Sequence, residues 1–201
     1  DFDDSGWEKA YVIGDNGCRP WGKMTLDGNM LPPAQYLRSQ FSAAKSVKQA
    51  TLYATAFGIY QLYLNGQRIS KEYFSPGWTD YKKRIYYRTY DVTSVVKSGD
   101  NAIGAILADG WYAGYVGYGK KRNHYGRKLR LLAQLHIEYS DGTTQDVFTN
   151  PNWKGTTGPI LQADFLMGET YDATKELTGW NEAGYADAAW TKVSTGAELS
   201  P

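Results

Sequence analysis

The residues of this 201-residue sequence that could do chemistry are few and scattered. Acid–base cleavage of a glycosidic bond needs two carboxylates, about 5–5.5 Å or about 6.5–9.5 Å apart. Glu169 and Asp172 stand three positions apart, which on a strand puts them on opposite faces; a pair drawn from distant elements stays open. The two histidines are His124 and His136, and His136 is expected on the solvent face of a strand. The single cysteine, Cys18, leaves no internal disulfide and reads as a bystander beside Gly17 and Arg19. The sequence contains no phosphate-binding glycine loop or dinucleotide fingerprint, no zinc-type Cys/His spacing and no nucleophile elbow.

Binding chemistry is better represented. A Trp or Tyr ring offers apolar area and a polar tip at once, and neighbouring Asp, Asn, Glu or Arg can bond hydroxyls, a mixture suited to sugars. It occurs in Pro76-Gly77-Trp78-Thr79-Asp80-Tyr81, in Asp109-Gly110-Trp111-Tyr112-Ala113-Gly114-Tyr115, and in Arg122-Asn123-His124-Tyr125-Gly126. Trp78 is assigned to core packing, and Trp111 and Tyr112 equally to core or binding. Trp7, Trp153 and Trp190 are structural. Calcium wants six to eight oxygens; Asp15 with Asn16, Asp27 with Asn29, and Asp100 with Asn101 could each supply some. None has a diagnostic spacing, and each reads first as turn chemistry. Lys120-Lys121-Arg122 reads as a solvated loop.

The elements that must position these residues are strands. Tyr, Trp and Phe number 17, 7 and 6, and Gly 22; the aromatics favour strands and glycine supplies the turns. Strands are expected at 51–57, 59–64, 85–90, 101–107, 129–139, 144–149, 153–157 and 160–165. In 129–139 the faces separate cleanly, with Leu131, Ala133, Leu135 and Ile137 on one side. Asn65-Gly66 is a strong hairpin signal. One short helical turn is expected at 92–97, with Thr93 as its cap. The pattern predicts an antiparallel two-sheet sandwich or jelly roll. The stretches 14–33 and 109–127 read as long loops, the second too aromatic for a disordered linker. A phrase near the start (Phe2-Asp3 to Ala10) recurs near the end (Tyr185 to Val193), which suggests boundaries at 1–14, 15–178 and 179–201, with flanking modules on both sides. Net charge is +1 with no long charge block, which argues against nucleic-acid partners. No apolar run reaches the roughly 20 residues of a membrane span.

Leu62-Tyr63-Leu64-Asn65-Gly66, the Pro76 to Tyr81 phrase, Thr89-Tyr90-Asp91-Val92-Thr93, the Asp109 to Gly114 phrase, Gly158-Pro159-Ile160 and Gly168-Glu169-Thr170-Tyr171-Asp172-Ala173 occur in that order. As a set, over roughly 36–173, they resemble the N-terminal β-sandwich domain of bacterial α-L-rhamnosidases of glycoside hydrolase family 78. The resemblance implies an all-β, galactose-binding-like jelly roll. It implies a secreted, periplasmic or cell-surface parent enzyme that inverts configuration while removing terminal α-L-rhamnose. The acids of that reaction belong to a separate (α/α)₆ barrel outside these residues, so the fragment is expected to be non-catalytic. Two roles follow: a module binding rhamnosyl ends of a glycan, with no required cofactor though calcium is possible, or a purely structural domain docked on the catalytic barrel. For the first role, the expected site is Asp109, Trp111, Tyr112, Arg122, Asn123 and Tyr125, because Asp109 directly follows a confident strand and loops on a rigid scaffold commonly carry function.

Overall fold

In the computed structural model, residues 5, 6, 8, 31–117 and 121–196 are described. The chain divides into two units, Asp1–Met30 and Leu31–Pro201, and all the elements described lie in the second. Trp7, Cys18, Lys120, the Phe2 to Ala10 phrase and the calcium candidates Asp15, Asn16, Asp27 and Asn29 lie outside the described residues.

Among the described residues there are twelve strands: β1 Gln35–Ala43, β2 Val47–Phe57, β3 Ile59–Leu64, β4 Gln67–Arg68, β5 Arg88–Asp91, β6 Gly99–Ala108, β7 Arg130–Tyr139, β8 Thr144–Phe148, β9 Lys154–Thr157, β10 Ile160–Asp164, β11 Gly168–Tyr171 and β12 Thr191–Lys192. A six-stranded sheet runs β12-β9-β1-β6-β3-β4, a four-stranded sheet runs β5-β2-β7-β8, and β10-β11 form a hairpin. Every pairing is antiparallel, so the expected all-β sandwich is what forms. Among the described residues, helix is limited to the single turn α1 Gly110–Ala113 and a 3₁₀ turn at Ala173–Lys175.

The core lies between the two large sheets. Leu52, Ala54, Leu135 and Ile137 meet Leu62, Leu64, Ile103, Ala105 and Leu107; each fully buried aliphatic side chain contributes about 1.5–3 kcal/mol. The β3–β4 hairpin turns at Asn65 and Gly66, with φ of 50° and 84°. That double positive φ is why Asn-Gly occupies the turn. The Asn65 amide bonds the Asn101 side chain (2.7 Å) and the backbone of Val95 and Ala102. Asn101 is fully engaged in turn bonds to Lys97 and Gly99, which matches its turn reading.

The six-stranded sheet is buried on its second face too. Tyr36, Trp180 and Trp190 form a separate cluster there, backed by Tyr63, Ile106 and Tyr185. Its clamp is Arg38, whose side chain is fully buried. Arg38 donates to the carbonyls of Trp180 (2.8 Å) and Glu182 (3.0 Å) and pairs with Asp187. Gly104 in β6 fits this face because a Cβ there would stand 2.6 Å from Trp180. Residues 179–196 are therefore woven into the sandwich, and β12 pairs with β9.

Local differences from the sequence reading have physical causes. Strand β5 begins at Arg88, not at 85. The turn expected at 92–97 closes as a single turn and goes no further: Val95 and Val96 N–H donate to the Val92 carbonyl. Thr93 Oγ1 instead accepts from Ala50 N–H and donates to Asp91.

Candidate functional site

Three connections meet through aromatic contacts: residues 73–81 between β4 and β5, residues 109–117 and 121–126 between β6 and β7, and the hairpin tip 165–167 between β10 and β11. The first is tied down by antiparallel bonding of Ser75 to Tyr60, whose N–H donates to the Ser75 carbonyl at 2.8 Å. The second opens with α1. The third is held by Asp164, a buried carboxylate that accepts from the N–H groups of Leu166 (2.9 Å), Met167 (3.1 Å) and Tyr115 (2.8 Å). Asp164 thus joins the second and third connections.

Asp109 sits at the N-cap of α1 but makes no capping bond with its side chain. It is buried and paired with Arg122. Burial pushes the Asp109 carboxyl above its ordinary range, with Arg122 opposing the shift. Arg122 Nε is buried without a hydrogen-bond partner, and its guanidinium lies over the Tyr115 ring at 6.0 Å. Tyr112 turns inward, stacked on Phe57 at 4.7 Å and edge-on to Tyr81 at 5.3 Å. Tyr125 also meets Tyr81, at 5.1 Å, and its hydroxyl accepts from the Trp78 indole N–H at 3.3 Å. Asn123 has a φ of 63° and donates its backbone N–H to Ala113 at 3.0 Å.

Trp111 is the member that packs among the exposed aromatic side chains. It is half-buried and stacks parallel to Trp78, with centroids 6.1 Å apart. It meets Phe74 edge-on at 5.7 Å and Phe165 at 5.0 Å. Around it Phe74, Trp78, Phe165, Leu166 and Met167 are 37–56% exposed. The expectation that Trp78 packs in the core is corrected: it is 51% exposed, while Tyr81, three residues on, takes the buried position at 3%. Arginine borders the patch: Arg68 lies over the Tyr73 ring at 4.7 Å and Arg84 donates to Thr79 Oγ1. Aromatic and arginine enrichment around an apolar centre is the composition of a recognition surface.

The six expected site residues therefore share one loop system, but they do not all face solvent. Asp109 pairs with Arg122, and Tyr112 belongs to the inner aromatic tier. Sequence reasoning missed Phe74, Asp164, Leu166 and Met167. The available signal was the apolar tripeptide Phe165-Leu166-Met167 set between Asp164 and Gly168, whose φ of 85° marks a turn. Elsewhere, Glu169 is exposed on β11, and Asp172 accepts from the Thr174 N–H and hydroxyl. Among the described residues, no group of three or more His, Cys, Asp or Glu side chains could hold a metal ion.

Against known families, residues 45–199 match the model of the alpha-L-rhamnosidase N-terminal domain. The chain belongs to this family. An α-L-rhamnosidase of Streptomyces avermitilis is 49% identical over 195 residues, covering 96% of this chain and 18% of the relative. One from Alteromonas sp. (strain LOR) is 48% identical over 169 residues, 83% of this chain and 18% of the relative. The crystal structure of the Streptomyces avermitilis α-L-rhamnosidase complexed with L-rhamnose superposes with a TM-score of 0.83 at 47% identity, over 100% of this chain and 19% of that one. This α-L-rhamnosidase N-terminal domain thus spans under a fifth of the length of these relatives.

Proposed function

We propose that this domain is a non-catalytic accessory part of a longer α-L-rhamnosidase that acts outside the cytoplasm on terminal α-L-rhamnosides. In this reading it seats itself on the remainder of its own chain through the aromatic face centred on Trp111. The observation that carries the reading is that this face exposes rings and aliphatic side chains, while the charged residues beneath it, Asp109 and Arg122, are engaged with each other. A surface built to grip sugar hydroxyls would keep such groups free; a surface built to lose water against protein would not. The length of the relatives supplies the occupant, since more than four-fifths of each lies outside the matched segment.

The test is hydrogen exchange in the full-length enzyme and in the 201-residue chain. Residues 73–81, 111–115 and 164–168 should be strongly protected only in the former. Equal exchange in both would discard the docking reading. A second reading, capture of rhamnosyl ends by the same loops, is favoured by the parallel Trp78 and Trp111 rings, and the Streptomyces avermitilis relative was crystallised with L-rhamnose. Here Trp111 supplies the apolar wall, and Asp109, Arg122 and Asn123 the hydroxyl partners. A single-sugar site of this kind binds weakly, on the order of millimolar to tens of micromolar, about 4–6 kcal/mol. Titration calorimetry with L-rhamnose, with and without calcium, on the parent and on Trp111→Ala checks it: unchanged binding in the variant removes these loops from consideration.

A further inference from the structure

The charge of this chain is segregated. Residues 68–88 and 109–128, which contain the first two aromatic connections, carry eleven Lys and Arg against three Asp and Glu, in a sequence that holds 22 against 21. The remainder therefore holds eleven basic residues against eighteen acidic ones. The near-zero net charge conceals one basic region, and that region adjoins the exposed rings. Three contacts place it there. The Arg68 guanidinium lies over the Tyr73 ring at 4.7 Å. Arg84 Nε donates to Thr79 Oγ1 at 3.2 Å, beside Trp78. Arg88 Nη2 would stand 3.8 Å from a Cβ at Gly77.

The three acids of these segments are already engaged. Glu72 faces Arg88 at 3.6 Å and accepts from Ser75 Oγ at 3.2 Å. Asp80 meets Lys83 at 3.6 Å and accepts from the Lys82 N–H at 3.1 Å. Asp109 pairs with Arg122. Lys71, Lys82, Arg84, Lys121, Arg127 and Lys128 are exposed and, among the described residues, have no carboxylate partner.

This distribution decides what can cover the face. Covering the apolar centre removes water from its edge, and a charge that loses water without a counter-charge costs free energy. Two copies of this chain apposed through the same patch would set basic rim against basic rim, because a two-fold contact matches a surface with itself. An acidic covering surface meets the cations instead. Each exposed ion pair adds little; the gain from complementary rims is orientation and rejection of wrong partners. We propose that the part of the parent chain covering the Trp111 face is an apolar seat ringed by Asp and Glu, which pair with the Lys and Arg of these two connections. The proposal rests on the docking reading above and adds the partner's chemistry to it.

The test uses the full-length enzyme. A zero-length carbodiimide joins a Lys amine to a touching carboxylate as an amide and carries off the water as a urea. The expected links run from Lys71, Lys82, Lys121 or Lys128 to Asp or Glu outside the 201 residues, read by peptide mass spectrometry. They should fall about fivefold or more at 1 M salt, where the screening length drops to about 3 Å. The exchange protection of residues 73–81 should fall by about the same factor in Lys82→Glu/Arg84→Glu and stay unchanged in Lys97→Glu, an exposed cation outside the basic segments. Circular dichroism of the 201-residue chain confirms that each variant folds. Absence of the links, or protection unaltered by the double reversal, leaves docking standing and overturns the acidic partner. Protection absent from the parent enzyme overturns both. Protection that the isolated chain gains from a second copy at high concentration, or from the anionic polymer polygalacturonate, gives the rim a different occupant and overturns the proposal as well.

Discussion

Arg38 and Asp187 are the residues on which the outer layer of this sandwich depends. An arginine buried in a strand survives only with its donors matched, and Arg38 has two carbonyls and a carboxylate. Replacing it with Ala leaves both carbonyls unmatched in a desolvated place and Asp187 with Lys154 alone, and should cost about 3–5 kcal/mol in urea unfolding. Lys at 38 should recover only part, since an ammonium lacks the planar fork. Burial tends to raise the Asp187 carboxyl, but Lys154 and Arg38 outweigh it and hold the group below its ordinary value. A carboxylate depressed in the fold contributes stability above its unfolded pKa of about 3.9, and that contribution disappears as pH falls through the lower folded value. The stability gap between the parent and Asp187→Asn should therefore be full at neutral pH and close below about pH 4; a gap independent of pH would contradict the ion-pair account. The same residue explains why β1 escaped the sequence reading. Its buried positions include Tyr36 and Arg38, so the hydrophobic alternation that made β7 plain was interrupted by a charge.

At the scale of elements, the two tryptophans at 111 and 153 have different surroundings. Trp153 is buried, with its indole N–H donated to the Phe148 carbonyl at 3.2 Å; Trp153→Ala should lose about 3–5 kcal/mol. Trp111 is half-buried on the one-turn α1 among neighbouring rings, and its Ala variant should lose less than half as much, which paired thermal melts would reveal. Gly104→Ala should cost about 1–3 kcal/mol, because the new methyl meets Trp180, which is anchored through its carbonyl to Arg38. A variant as stable as the parent would mean that Trp180 is freer to move than its packing suggests. The strands of the two core layers were legible because inward positions repeat every second residue. The loops were legible only in composition: nothing local distinguishes Tyr81, which goes in, from Trp78, which stays out. That choice is made by Phe57, Tyr112 and Tyr125, which converge on Tyr81 from distant parts of the chain.

For the whole molecule, the proposed non-catalytic role leads to a simple expectation. The 201-residue chain should not hydrolyse an aryl α-L-rhamnoside, and turnover that survives repurification yet vanishes in Glu169→Gln would refute it. The double-sided burial of the six-stranded sheet has a practical corollary for anyone trimming this domain. A cut at residue 178, where sequence phrasing places a module end, would strip Trp180, Asp187 and Trp190 from Tyr36, Tyr63 and Ile106 and leave Arg38 with no counter-ion. The truncated piece would present a sticky, charge-pierced sheet to its neighbours and should precipitate on expression. A boundary drawn past Gly196 retains that cover, so the working border of the module lies well beyond its last long strand.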